Sequence, residues 1–249
     1  MQANIYMSIT YKCILVGGEK GGTGKSTVAT NLAAMLKIAG YDTHLVDCDK
    51  QQTSVKFASR RAAKEIPPPL VATCITGDQL QIPIADLAEK YDVVVIDCGG
   101  QDSVELRSAM ITPCVDLMII PIQAGYFDLE TLVNMDQLVR TSRIYNQNLI
   151  AKCLINRVPT NKQVTVADEA RGFIREELGN LGLFEIVLHD RVSYSYAVAK
   201  GECILEYEQR ARRDGKASAE FLELYKEITG DTYPVEKIGK LAELEVNNV

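Results

Sequence analysis

The stretch Gly17-Gly18-Glu19-Lys20-Gly21-Gly22-Thr23-Gly24-Lys25-Ser26-Thr27 has the composition needed to hold an anion in a cradle of backbone amides. Glycines 21, 22 and 24 permit positive φ, which turns successive N–H groups toward one point. A helix opening directly after them would add its unpaired N–H groups and its dipole to the same cradle. Lys25 would then place a point charge on the β- and γ-phosphates of a nucleotide, and the Ser26 hydroxyl would bind Mg2+. Thr27 would lie against the α-phosphate. The usual spacing GxxxxGK[ST] is met at Gly24-Lys25-Ser26, but its first glycine would fall on Glu19.

Three carboxylates could complete that chemistry. Asp47 and Asp49 flank Cys48 at the end of the apolar run Leu45-Val46, and Asp97 follows the run Asp92 to Ile96. An apolar strand ending in aspartate is the arrangement that holds a carboxylate near a phosphate-bound metal.

These residues need a scaffold that brings strand ends together. Cys13 to Val16 reads as a short strand before the glycines, and Ser26 to Ala39 as a helix stopped by Gly40. Thr43 to Val46 is the next strand, followed by a polar helix through Arg61. Prolines 67 to 69 break the chain before Leu70 to Ile75. Asp92 to Ile96 and Val115 to Ile122 are nearly pure apolar, as expected of central strands covered on both faces. Leu149 to Ile155 is a further strand, and helical stretches are expected at 128–146 and 161–179. Alternating strands and helices imply βαβ units, hence an α/β fold: a doubly wound, mostly parallel sheet with helices on both faces. In such a sheet the ligand site lies at the carboxyl ends of the strands. One domain over 1–249 is expected, with 1–11 as an N-terminal extension and 234–249 as a C-terminal tail.

Composition narrows the function classes. Apolar residues at 47% and charged residues at 24% suit a globular protein with a full core. A net charge of −6 gives no global footprint for nucleic acid, so any DNA contact needs a local patch. The seven cysteines sit singly without CxxC spacing, which argues for buried, reduced thiols and against zinc. No apolar run approaches the roughly 20 residues of a membrane span, and Met1 to Tyr11 lacks the features of a signal peptide. A cytoplasmic location is the expectation.

The motif KGGTGKST, with Lys20 five residues before Lys25, resembles the deviant Walker-A ATPases of the ParA/MinD superfamily, within the P-loop NTPases. The resemblance extends from about Lys12 to Gly230. In that family the first glycine is not required, and the extra lysine crosses to the nucleotide of the partner subunit, which would make Lys20 a catalytic residue of an ATP-dependent homodimer. Asp47-Cys48-Asp49-Lys50-Gln51-Gln52 is similar to the family's DxDPQ element, with Lys50 where proline is usual. The resemblance implies that Asp47 supports Mg2+ through water and that Asp49 orients the attacking water. The family usually has proline just after the aspartate equivalent to Asp97; here Gly99-Gly100 follow closely. Asn156 falls where relatives place an adenine-reading asparagine, a turn asparagine before Arg157-Val158-Pro159 being the alternative.

Val115 to Leu129 and the elements Arg191 to Ala197, Gly201 and Glu206-Tyr207 look like those of small plasmid-type ParA partition proteins. That resemblance implies slow ATP hydrolysis, non-specific binding to nucleoid DNA as an ATP dimer, and release by a small centromere-binding ParB-type adaptor. Basic residues lie in three stretches: Lys50 to Lys64, Arg140 to Lys162, and Arg210 to Lys216. The family's DNA-binding arginine of the last helix has no match near Leu222 and Glu223. Alternatives share the ATP site. A ParA-like ATPase could position a protein cargo. A MinD-like membrane-cycling ATPase would need a basic amphipathic tail, but Pro234 to Val249 sets Lys237 and Lys240 against Glu236, Glu243 and Glu245, so membrane binding is not expected. A nitrogenase-reductase-like iron–sulfur protein would need paired cysteines of each subunit, with Cys98 and Cys114 as conceivable ligands.

Overall fold

In the computed structural model of the chain, residues 9–100, 103–160 and 165–238 are described, with backbone only for 126–130 and 165. Short apolar runs form the strands β1 (Cys13–Val16), β2 (Thr43–Asp47), β3 (Val71–Cys74), β4 (Val93–Asp97), β5 (Leu117–Ile122), β6 (Ile150–Ile155) and β7 (Gly182–Leu183). They make a single sheet in the order β3-β2-β4-β1-β5-β6-β7, and every pairing is parallel. The strand that precedes the glycines therefore sits mid-sheet, between β4 and β5.

Period-two alternation along the strands sends side chains to two separate cores. On one face Ile14, Val16, Leu45, Val95 and Ile119 pack with α1 (Lys25–Ala39), α2 (Thr53–Ala63), α7 (Val192–Lys200), α8 (Ile204–Arg210) and α9 (Lys216–Thr229). On the other face Leu15, Val46, Ile96, Met118 and Ile155 pack with α3 (Gln81–Lys90), α4 (Val104–Met110), α5 (Tyr126–Ser142) and α6 (Thr165–Glu177). Burial on both faces is why β1, β4 and β5 read as continuous apolar runs rather than as alternating ones.

Element boundaries differ from the sequence reading in instructive places. β2 and β4 each run one residue further, so Asp47 and Asp97 close their strands rather than follow them. β5 begins at Leu117, because the Asp116 carboxylate turns back to accept the N–H groups of Lys12 and Cys13 at 2.7 and 3.0 Å. Pro121 is tolerated in β5 because pairing with β1 ends at Ile119, where β1 has already left the sheet. The helix expected over 128–146 is α5, which ends at Ser142, and that expected over 161–179 is α6, of which 161–164 lie outside the described residues. α1 stops at Gly40, whose φ of 107° lets its N–H and that of Tyr41 close on the last-turn carbonyls. The helices α3, α4, α7, α8 and α9 were not assigned from sequence.

Candidate functional site

The loop from β1 into α1 is held at several points. Gly17 N–H donates to Ile119 O at 3.1 Å as the chain leaves the sheet. Gly22 and Gly24 take φ of 78° and 93°, which L side chains adopt with difficulty. Gly24 is also sterically required: a Cβ there would stand 2.4 Å from Asn156 Nδ2. From outside, Asn156 Nδ2 donates to Thr23 O at 2.7 Å, Arg157 Nη1 to Gly22 O at 2.8 Å and Gln123 Nε2 to Gly22 O at 3.2 Å. Carbonyls are thus tied outward by side chains from the ends of β5 and β6. Lys25, 6% exposed, folds back so that Nζ donates to Lys20 O at 2.5 Å. Burial pulls the Lys25 pKa below its usual value, and the nearby Asp97 and Asp49 carboxylates oppose that shift. Lys20 itself is exposed at the rim.

The carboxylates converge beside this loop through strand register. Asp47 pairs with Asp97 across β2 and β4, and Val16 pairs with Asp97 across β1 and β4. The fully buried Asp47 carboxylate accepts three backbone N–H groups: Asp49 at 3.0 Å, Ser54 at 2.8 Å and Val55 at 3.0 Å. It thereby satisfies the first turn of α2 and favours that end of its dipole. Asp97, 1% exposed, accepts the Ser54 hydroxyl on Oδ2 at 2.6 Å and lies beside the Ser26 side chain, while Oδ1 is buried with no partner. Burial pushes the Asp97 pKa up to about 7; the Ser54 bond, the nearby Ser26 hydroxyl and Lys25 pull downward, and Asp47 pushes further upward. Asp49 is half-buried, with Oδ1 accepting Gln51 N–H at 2.9 Å. The turn after β4 packs against both loops. A Cβ on Gly99 would lie 2.6 Å from Asp49 Oδ2, and one on Gly100 would lie 2.9 Å from the Gly21 backbone.

This donor set fits a magnesium ion. A hard cation takes oxygen ligands and is commonly held by one or two protein oxygens plus substrate phosphates. The Ser26 hydroxyl and the orphaned Asp97 Oδ1 supply such oxygens. Among the described residues no cluster of three or more His, Cys, Asp or Glu forms a cage for a metal by itself.

Beyond Gly24 and Thr27 a cavity of about 160 Å³ continues past Asn156 to His189, Arg191 and Tyr194. Asn156 stands on its wall with both amide ends engaged, since Oδ1 accepts Arg157 N–H at 2.9 Å. Oδ1 thus serves the turn before Arg157, which takes the left-handed region at φ 57°, while Nδ2 holds the glycine loop. Ser54, Gln123, Arg157 and the segment 188–191 are residues that sequence reasoning missed. Ser54 carried a faint signal, being a serine at the start of a helix just after an aspartate pair.

In each of the three basic stretches one arginine is engaged within the fold. Arg61 is 1% exposed and bonds Pro67 O, Pro68 O, Gly201 O and both oxygens of Glu206. Arg143 donates to Leu149 O and Asn180 O, and Arg210 pairs with Glu202. Lys162 lies outside the described residues, as does the tail beyond Ile238. All seven cysteines are free; Cys74 is exposed and Cys114 half-buried, the rest buried. Among the described residues no helix is long and apolar enough to cross a membrane.

Against known proteins, residues 14–204 match the family model described as the CobQ/CobB/MinD/ParA nucleotide binding domain. The sporulation initiation inhibitor protein Soj of Bacillus subtilis (strain 168) is 25% identical, the match covering 88% of this chain and 99% of Soj. The chromosome partitioning protein ParA of Myxococcus xanthus (strain DK1622) is 25% identical over 81% of this chain and 83% of its own. The septum site-determining protein MinD of Pyrococcus horikoshii OT3, solved with Mg-ADP, superposes with a TM-score of 0.65 at 16% identity. That superposition covers 88% of this chain and 96% of MinD, and it shows a shared fold.

Proposed function

Because the chain belongs to the CobQ/CobB/MinD/ParA nucleotide-binding family, we propose that it is an ATP-dependent DNA segregation ATPase of the ParA type. It dimerises on ATP, binds DNA without sequence preference, and is released when a small ParB-type adaptor stimulates hydrolysis. One observation carries the ATPase part: the buried Asp97 Oδ1, without a partner, beside Ser26 and Lys25 at the mouth of a glycine-built loop. A buried carboxylate oxygen left without a hydrogen bond is costly unless a ligand completes it.

In this reading Lys25 exchanges the Lys20 carbonyl for β- and γ-phosphate oxygens. Thr27 lies against the α-phosphate, and the amides of Gly21 to Ser26 receive the phosphate charge. Ser26 and Asp97 hold Mg2+, and Asp47 supports it from behind through its hold on α2. Bound magnesium neutralises charge developing on the transferred phosphoryl group. Asp49, tethered by the Gln51 N–H on one oxygen, orients the attacking water with the other. Lys20, exposed at the rim, reaches the nucleotide of a second copy. Asn156 braces the loop at the nucleoside end.

Support for the DNA-directed part comes from the similarity to the Myxococcus xanthus partitioning protein and from the partition-type elements of the C-terminal half. The test is binding of the purified protein to non-specific duplex with ATP, with ADP and without nucleotide, each at two salt concentrations. ATP-dependent, salt-sensitive binding is expected, because phosphate contacts release counterions. Hydrolysis without DNA binding in any state would overturn the segregation reading and direct attention to a member of the family that docks on a protein cargo or a membrane.

A further inference from the structure

Resting on that nucleotide-binding reading, we propose that His189 is the residue that selects the base, its Nε2 accepting a hydrogen bond from the amino group of a 6-aminopurine. The cavity that opens beyond Gly24 and Thr27 leads to His189, and Tyr194 and Phe221 give it an aromatic wall, their rings 6.3 Å apart. A nucleotide whose phosphates occupy the loop has its base directed along this cavity.

The orientation of the imidazole is set by one carboxylate. Glu220 of α9 bonds His189 Nδ1 on Oε1 at 2.7 Å and accepts the His189 backbone N–H on Oε2 at 3.1 Å. Arg191 fixes that carboxylate in turn, donating from Nε at 3.0 Å and from Nη2 at 2.6 Å. An ionised carboxylate only accepts, so Nδ1 carries the hydrogen, which in the Nδ1–H tautomer leaves Nε2 as the acceptor of the ring. Among the described residues, no hydrogen bond to Nε2 is formed.

An acceptor fixed in this way discriminates at the purine 6-position. Adenine carries an amino donor there and completes the bond. Guanine and hypoxanthine carry an oxo group, so two acceptors would face each other, both desolvated and unpaired. The site is thereby matched to ATP by a side chain that lies outside the glycine motif.

The experiment is competition against a ribose-labelled fluorescent ATP analogue in the presence of Mg2+, using ATP, inosine triphosphate and purine riboside triphosphate, which has no 6-substituent. The wild-type chain is expected to bind ATP about tenfold more tightly than inosine triphosphate, with the unsubstituted purine between them. His189→Ala should bring the three within about twofold of one another, and His189→Gln, whose amide oxygen still accepts, should restore part of the preference. Thermal melts of both variants report whether the fold is kept. A ratio unchanged in His189→Ala, or equal binding of ATP and inosine triphosphate by the wild type, would overturn the base assignment while leaving nucleotide binding intact. Failure of the wild type to bind any triphosphate would instead overturn the nucleotide reading, and this inference with it.

Discussion

The hydroxyl of Ser54, in the first turn of α2, donates to Asp97 Oδ2 at the end of β4 across 2.6 Å. The backbone N–H of Ser54 donates to Asp47 Oδ2 at 2.8 Å, so one small residue ties two strand-end carboxylates together. With Oδ2 so occupied, Asp97 Oδ1 is the oxygen left for a cation. Hydrogen bonds to a charged group contribute about 1.5–3 kcal/mol. Ser54→Ala should therefore raise the Mg2+ concentration for half-maximal ATP hydrolysis about tenfold or more, and Ser54→Thr should raise it far less. An Mg2+ titration unchanged in Ser54→Ala would remove Ser54 from the site.

Asp97 makes the metal-free protein sensitive to pH. Its carboxyl, ordinarily titrating at 3.8, is pushed up to about 7 by burial. Between those values the folded chain holds a proton that the unfolded chain has released, so stability falls as pH rises through the window. The size is at most on the order of 4 kcal/mol. Asp97→Asn is expected to melt higher than the wild type at pH 8 without Mg2+, with the difference shrinking at pH 5. Parallel melting curves at the two pH values would show that this carboxyl is ionised throughout.

Lys25→Ala and Asp49→Ala should separate binding from turnover. Removing Lys25 should abolish binding of a fluorescent ATP analogue, because the only buried ammonium at the loop is lost. Removing Asp49, which takes no part in holding the loop carbonyls, should leave the affinity within about threefold while turnover falls by roughly a hundredfold or more. Normal hydrolysis by Asp49→Ala would move water positioning to another group.

Gly24→Ala meets two obstacles, a φ of 93° and a Cβ position 2.4 Å from Asn156 Nδ2. The single variant should lose nucleotide binding. Adding Asn156→Ala removes the clash but not the backbone strain, and it also frees the Thr23 carbonyl that Asn156 holds. The double variant should therefore stay inactive, and full recovery would show that the clash alone mattered.

Lys20→Ala is expected to bind ATP as a monomer, because Lys20 is exposed at the rim and its proposed target lies in a second copy. Light scattering of the Asp49→Ala and Lys20→Ala/Asp49→Ala chains with ATP would check this without interference from hydrolysis. An ATP-dependent dimer of the double variant would exclude the trans role.

The glycine loop and its following helix were legible from the sequence because their chemistry is contiguous: backbone conformation, anion cradle, lysine and hydroxyl all fall within Gly17 to Thr27. Strand ends were almost as legible, since an apolar run ending in aspartate carries its own signal; β2 and β4 both run one residue past their expected ends, which is what sets Asp47 opposite Asp97. Arg61 shows where such reading stops. It lies in a basic stretch that suggested a solvated or DNA-facing surface, yet it is 1% exposed and bonded to Glu206 in α8. Likewise the faint helix-start signal at Ser54 does not mark it as the bridge between two carboxylates, and nothing local marks Asn156 as a brace 133 residues from Thr23 or His189 as a ring set by Glu220. Short-range spacing by itself determined the phosphate loop, the fold class and the three aspartates, because backbone geometry and strand periodicity act over a few residues. Only the tertiary structure decided which side chains brace, bridge and line the site, because those contacts depend on the order in which parallel strands pair and on which helix each crossover lays beside them.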